Sequence, residues 1–168
     1  MKQSPRRSPA EPDEAQSSTP ELVRDFSQSL PMALLRAREA VMARLRPMLR
    51  MHGVTEQQWR VLRTLEHTDG LEAAQLARRV FLMRPSLTRI LRDLQARGLV
   101  VRHASPAGLR RSLVYISPKG VALIADTRPD AAAANAEIER LFGAEALTEL
   151  KRGLFALEED LNTDRPRR

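Results

Sequence analysis

The segment from Arg84 to Arg97 constrains the fold most strongly, because its apolar residues recur at the spacing of an α-helix. Four large aliphatic residues share one face of that helix: Leu87, Ile90, Leu91 and Leu94. Arginine and short hydroxyl side chains lie largely off this stripe, and Gly98 provides a C-terminal stop signal. The pattern predicts an amphipathic helix that packs one face on a core and presents a basic face outward.

Similar signals predict three helices earlier in the chain. A first helix is expected from about Ser29 to Met51, with Ser29 as its N-cap and a bend at Pro47. The run from Thr55 to Gln58 is a capping box, which begins a second helix. A short third helix is expected from Glu72 to Arg79. Together with the basic helix, the folded part of the chain therefore begins with four helices.

A β-hairpin is expected after the basic helix. Short apolar and β-branched runs at residues 99–103 and 112–116 flank a loop that contains proline and glycine. The Ser117-Pro118 pair then opens a fifth helix, which is expected to continue past a kink at Pro129 to about Leu141. The predicted fold class is mainly α with a small β-hairpin wing, arranged as a winged helix-turn-helix.

The last predicted helix runs from Ala144 to Leu161 and carries leucines at alternating steps of three and four residues. These are Leu147, Leu150, Leu154, Leu157 and Leu161. Such spacing forms a continuous seam that packs one helix against another. The chain has no internal partner for this seam, so a second copy is expected to cover it and the protein is predicted to be a homodimer.

Positive charge is concentrated in one part of the chain. The formal net charge is +7, while residues 78–111 alone hold nine arginines and a single acidic residue, Asp93. The rest of the chain is therefore close to neutral. A single basic block on a near-neutral body indicates one anionic partner surface, and double-stranded DNA is the expected partner.

Composition excludes several other classes of protein. The chain has no cysteine, which excludes disulfides, thiolate zinc sites and iron–sulfur clusters. No apolar run approaches the roughly 20 residues that span a membrane, and no signal peptide is recognisable, so a cytoplasmic location is expected. No P-loop, dinucleotide fingerprint, HExxH motif or Ser/His/Asp set is present. We therefore predict no enzyme activity, no catalytic residue, no cofactor and no metal.

The helix, short helix, helix and hairpin in succession predict that the basic helix enters the major groove and that the hairpin forms the wing. Arginine suits both guanine edges and phosphates, so the sequence leaves these two roles open. A basic hairpin loop is suited to the minor groove. The predicted DNA contacts are Arg78, Arg79, Arg84, Pro85, Ser86, Thr88, Arg89, Arg92, Arg110 and Arg111.

Two other interpretations of the arginine block stay open at this point. A nonspecific nucleoid-associated or RNA-binding protein without an effector would need the same basic block. A purely structural helical dimer would use the arginines only as a solvated face. Arg97 and Arg102 are candidates for a structural role.

The sequence resembles the MarR-type regulators. The similarity is carried by RPSLTRILRDLQARGLVVRHASPAGLRRSLVYISPKG, residues 84–120, and extends through ALLRAREAVMARLRPMLRMHGVTEQQWRVLRTL, residues 33–65. Within the family, the chain most resembles repressors of operons for the breakdown of homoprotocatechuate and related aromatic acids. One departure is that Gly108-Leu109-Arg110 replaces the family's usual Asp-x-Arg in the wing, so we expect a more mobile wing.

The resemblance implies a winged-helix domain over residues 29–161. Helices within 29–52 and 118–161 would form the dimerisation domain, and residues 55–116 the DNA-binding lobe. The two lobes of a dimer would occupy successive major grooves of a near-palindromic site. Residues 1–20, with four prolines and four serines, are predicted to be disordered, and residues 162–168 to form a flexible basic tail.

The resemblance also implies a small-molecule pocket between the dimerisation domain and each lobe. A small aromatic carboxylate, such as a hydroxylated benzoate, phenylacetate or nicotinate, needs a cation for the acid and a flat apolar wall for the ring. The candidate ligand contacts are Ser29, Arg38, His52, Trp59 and Arg60. Glu39 or Glu56 would be the partner of Arg38 if that arginine is structural, and Trp59 also suits the core.

Overall fold

A computed structural model describes residues 26–104 and 112–163. The predicted disordered tail at residues 1–20, the wing loop with Arg110 and Arg111, and residues 164–168 lie outside the described residues. The chain divides into two compact units, residues 1–39 and 40–168.

The described part of the first unit begins with a single 3-10 turn, Phe26–Gln28. Helix α1, Leu30–Met51, follows directly and continues into the second unit. Ser29 precedes α1 as predicted, but its hydroxyl donates backward to the Phe26 carbonyl at 2.7 Å. The Ser29 carbonyl accepts the first helical hydrogen bond, from the Ala33 amide at 2.9 Å.

Five further helices form most of the second unit. Their bounds are α2, Glu56–Glu66; α3, Ala73–Arg79; α4, Arg84–Ala96; α5, Pro118–Phe142; and α6, Ala144–Thr163. The predicted capping box is confirmed, since Thr55 Oγ1 accepts from the Gln58 amide at 3.2 Å and Gln58 Oε1 from the Thr55 amide at 2.9 Å. Across the described residues, no helix combines the length and apolarity needed to span a bilayer.

Two predicted helix ends need correction. The expected third helix includes Glu72, but that residue lies in an extended conformation as the N-cap of α3. The last helix continues two residues beyond Leu161, where the Thr163 hydroxyl donates to the Glu159 carbonyl at 2.9 Å. Neither glycine nor proline follows Leu161 directly, so no strong stop signal ends the helix at that leucine.

The sheet has three antiparallel strands in the order β1-β3-β2. The predicted hairpin is confirmed as β2, Val100–Ala104, and β3, Ser112–Ile116. Strand β1, Leu71–Glu72, is an addition that pairs with the other edge of β3. Gly70 precedes it at φ +75°, and a Cβ there would lie 2.5 Å from the Tyr115 ring, so the turn into β1 requires glycine.

The main core lies within residues 55–116, called the lobe here, and extends onto the start of α5. It joins α2, α3, α4, the sheet and α5, with fully buried side chains that include Leu62, Leu76, Val114 and Ile124. All four residues of the predicted apolar stripe on α4 belong to it. A smaller cluster around Leu49 joins the end of α1 to α5, and Trp59 packs against both clusters. The mainly α fold with a β-hairpin wing is therefore as predicted.

The start of α5 is fixed tightly to the lobe. The Ser117 hydroxyl accepts from the Gly120 amide at 3.0 Å and donates to the Gly98 carbonyl at 2.7 Å. This confirms the predicted cap and ties α5 to the turn that follows α4. Because the cap also bonds Gly98, the helix enters at a fixed position beside the hairpin.

Candidate nucleic-acid interface

Helix α4 presents a continuous polar face. Its supporting residues Leu87, Leu91 and Leu94 are at most 1% exposed. The six predicted DNA contacts on this helix are all exposed: Arg84, Pro85, Ser86, Thr88, Arg89 and Arg92. An amphipathic helix anchored in this way holds its outer face rigidly, which is what insertion into the major groove requires.

The exposed arginines of α3 and α4 are not neutralised by the acidic residues that the structure describes. Within residues 26–104 and 112–163, no ion pair engages Arg78, Arg79, Arg84, Arg89 or Arg92. By contrast, Arg63 and Arg128 both pair with Glu66, at 2.8 and 2.6 Å. The positive charge of the α3–α4 face is therefore available for phosphates or base edges.

The Thr88 hydroxyl is already engaged in a hydrogen bond within α4. It donates to the Arg84 carbonyl one turn earlier at 2.9 Å. The oxygen still has lone pairs, so Thr88 is suited to accept a hydrogen bond from a base amino group but not to donate one to a phosphate. Ser86 has an exposed side chain and precedes it by two residues.

Arg97 has a structural role, which the sequence left open. Its guanidinium donates to the Gly53 carbonyl at 2.9 Å and lies 3.7 Å from Asp93. Lys119 donates to the Arg97 carbonyl at 3.0 Å. The C-terminal end of α4 is therefore tied both to the turn before α2 and to the first turn of α5.

Arg78 and Arg79 lie in the last turn of α3, where cations are also favoured by the helix dipole. Their exposure leaves them free to contact phosphate as well. Arg110 and Arg111, the predicted wing contacts, lie outside the described residues, and so does the segment that lacks the usual aspartate.

The candidate ligand residues all have partners inside the protein. The Ser29 hydroxyl donates to the Phe26 carbonyl, and Arg38 contacts Glu39, one of its two expected partners, at 2.7 Å. His52 Nε2 lies 2.9 Å from Asp130 Oδ2, and Trp59 Nε1 donates to Thr127 Oγ1 at 3.4 Å.

Two short hydrogen bonds hold the Arg60 guanidinium in place. The guanidinium donates to the Val80 carbonyl and to Glu56, both at 2.8 Å. It therefore ties α2 to the turn that follows α3. Nowhere in the described ranges do three or more histidine, cysteine, aspartate or glutamate side chains gather as a metal site would require.

Sequence analysis missed two sets of residues near these sites. Thr127, Arg128 and Asp130 on α5 bond to Trp59, Glu66 and His52, and only long-range packing brings these pairs together. Phe81 and Met83, in the turn before α4, are large apolar residues with exposed side chains. The signal for the second set was present, because two large apolar residues stand in a turn flanked by arginines.

The lobe and its un-neutralised basic face define a winged helix-turn-helix DNA-binding protein. The MarR family pattern matches residues 52–111. The homoprotocatechuate degradative operon repressor of Escherichia coli is 38% identical over 122 residues, which are 73% of this chain and 82% of that repressor. The chain therefore belongs to the MarR family and is a DNA-binding transcriptional repressor of that family.

The solved structures that are similar to this chain include those of NadR and CouR. NadR in complex with 4-hydroxyphenylacetate has a TM-score of 0.68 at 35% identity, covering 77% of this chain and 92% of NadR. CouR bound to a 23-mer DNA duplex has a TM-score of 0.73 at 26% identity, covering 80% of this chain and 96% of CouR. The Escherichia coli relative and CouR are both repressors, which points to a function other than catalysis.

Proposed function

We propose that the protein acts in the cytoplasm as a dimeric, sequence-specific repressor that a small aromatic carboxylate releases from a near-palindromic operator. The observation that carries the proposal is the exposed face of α4, whose arginines make no ion pair in the described residues while its opposite face is buried in the lobe core.

Selection from a library of randomised duplexes tests the DNA part of the proposal. A two-fold dimer is expected to enrich inverted half-sites whose centres lie about one helical turn, roughly 10 base pairs, apart. The enriched duplex is called the selected duplex below. Enrichment of no motif, or of a single half-site only, would contradict the proposed mode of binding.

The leucine seam on α6 supports the dimer. No residue of α6 is buried, and Leu150, Leu154 and Leu161 are 44%, 39% and 62% exposed. A helix seam with this much exposed leucine is expected to be covered by another helix seam, since a monomer would leave it in water. The chemistry of the seam fits a second copy of the same helix.

Replacing Leu154 with glutamate is expected to convert the protein to a monomer, because the dimer would bury the new carboxylate without a partner. Sedimentation equilibrium measures the mass, and circular dichroism checks that the lobe stays folded. Arg152→Glu is the matched control, since residue 152 lies opposite the seam and stays exposed. A Leu154→Glu protein with the dimer mass would contradict the assignment of this seam.

The effector proposal draws support from the relatives. One represses a homoprotocatechuate degradative operon, and another is solved in complex with 4-hydroxyphenylacetate. Both compounds are hydroxylated phenylacetates. We assign the ligand contacts to Ser29, Arg38, His52, Trp59 and Arg60, as the sequence resemblance implies.

The two candidate cations differ in how easily they can exchange partners. The Arg38–Glu39 pair has 45% and 46% exposed side chains, and an exposed ion pair of this kind contributes only about 0–1 kcal/mol. Arg60 would have to leave both a backbone carbonyl and a carboxylate that is 19% exposed. Arg38 is therefore the better candidate to receive a ligand carboxylate.

Adding 3,4-dihydroxyphenylacetate or 4-hydroxyphenylacetate at about 100 times its Kd is expected to raise the free energy of unfolding by about 2.7 kcal/mol. Thermal melting measures the rise, and the same acids are expected to release the selected duplex. Arg38→Ala is expected to abolish most of the shift, while Arg36→Ala, a nearby exposed arginine, serves as control. The assignment fails if no aromatic acid shifts melting, or if Arg38→Ala binds as tightly as the parent.

A further inference from the structure

The turn between α3 and α4 exposes two large apolar side chains. Phe81 is 79% exposed and Met83 is 75% exposed, while Leu82 between them packs against the lobe core. Met83 is the N-cap of α4, and its side chain makes no capping hydrogen bond. Neither exposed side chain contributes to the core of this chain.

The backbone at Phe81 is unfavourable for an aromatic residue. Its φ is +52°, and it is the sole non-glycine residue with positive φ among those that the structure describes. Hydrogen bonds fix the turn, from the Phe81 amide to the Arg78 carbonyl at 3.2 Å and from the Leu82 amide to the Ala77 carbonyl at 3.0 Å. Glycine adopts this conformation freely, whereas a bulky side chain is strained by it. A strained residue with an exposed side chain is a candidate for function.

The surroundings of this apolar pair indicate the chemistry of its partner. Arg78, Arg79 and Arg84 flank the turn in sequence, and all three are exposed without an ion pair in the described ranges. A partner that complements this surface carries negative charge around an apolar centre. The major groove has this character, because phosphates border it and thymine C5-methyl groups project into it.

We propose that Phe81 and Met83 contact thymine methyl groups in the major groove, and that they thereby determine part of the sequence preference. This inference rests on the proposed function, in which α4 enters that groove. It adds a hydrophobic component to recognition that is otherwise carried by arginine. Each half-site is expected to contain a thymine at the step that the N-terminal end of α4 reaches.

Deoxyuridine substitution tests the proposal, since it removes only the C5-methyl group. Each thymine of the selected duplex is replaced in turn by deoxyuridine, and the Kd is measured for each duplex. The parent protein is expected to lose about fourfold in affinity per contacted methyl. The ratio of the Kd for a deoxyuridine duplex to the Kd for the thymine duplex is called the deoxyuridine penalty. Phe81→Gly and Met83→Ala are expected to bind the thymine duplex more weakly and to lose this penalty.

The same variants separate this role from a structural one. Phe81→Gly is expected to melt about 2–4 °C higher than the parent, because glycine relieves the strained φ and no buried contact is lost. The matched control is Met51→Ala, since Met51 is also an exposed methionine, 72% exposed at the end of α1. This variant is expected to keep the deoxyuridine penalty.

The outcomes separate this inference from the proposed function. If the parent shows no deoxyuridine penalty, or if Phe81→Gly and Met83→Ala both retain it, the thymine contact is wrong and a protein partner becomes the better explanation. If Arg89→Ala binds the duplex as tightly as the parent, the insertion of α4 itself is wrong. Arg89→Ala is otherwise expected to weaken binding to every duplex while it keeps the ratio between thymine and deoxyuridine.

Discussion

Replacing Arg89 and Arg92 together with alanine is expected to weaken binding of the selected duplex at least about 100-fold, because the proposed dimer would lose four contacts. Both side chains are exposed and neither makes an ion pair in the described residues. Their removal should therefore leave the free energy of unfolding nearly unchanged. The loss of affinity would come from DNA contacts and not from the fold.

Fluorescence anisotropy at several salt concentrations measures this effect. Each lost phosphate contact reduces the slope of log K against log salt by about 0.9, whereas a lost base contact leaves the slope nearly unchanged. The salt series therefore assigns the two arginines to phosphates or bases. Arg140→Ala with Arg152→Ala is the control pair, exposed on α5 and α6. If the Arg89/Arg92 variant binds as the control does, the α4 assignment is wrong.

Replacing Gly120 with alanine is expected to lower the free energy of unfolding by about 2 kcal/mol. Alanine in a helix is normally better than glycine by about 1 kcal/mol, so propensity alone predicts the opposite sign. A Cβ at residue 120 would lie 2.3 Å from the Leu99 carbonyl oxygen and 2.7 Å from Ile116 Cγ1. Backbone cannot yield at such a distance without separating α5 from the sheet.

Gly153 provides the matched control for this substitution. It also lies inside a helix, but a Cβ there would meet nothing within 4 Å. Gly153→Ala is expected to stabilise the protein by about 0.5–1 kcal/mol. Thermal melting should therefore move in opposite directions for the two variants, with Gly120→Ala falling by about 4–8 °C. A Gly120→Ala protein that melts at or above the parent temperature would contradict the packing of α5 on the hairpin.

Sequence alone predicted the helices well because their signals are local. The stripe of Leu87 and its neighbours fixed the orientation of α4, and the Thr55 capping box fixed the start of α2. Strand β1 could not be predicted in this way. Its two residues are too few to show an alternating pattern, and their pairing with β3 depends on the turn at Gly70.

For the candidate sites, the sequence predicted which side chains are exposed but not which residues bond to them. Periodicity identifies which arginines of α4 face outward, and the structure places these side chains on the exposed face. Periodicity does not identify hydrogen-bond partners that are distant in sequence, such as Asp130 for His52 or Gly53 for Arg97. The strained φ of Phe81 was also out of reach, since an aromatic residue gives no signal for a left-handed turn.

Competition binding tests the central claim most directly. The selected duplex and random-sequence DNA of equal length compete for the protein at matched salt. A sequence-specific repressor is expected to prefer the selected duplex by about 10³-fold or more. Equal affinity for the two DNAs would contradict the account and would instead indicate a nonspecific nucleic-acid-binding protein.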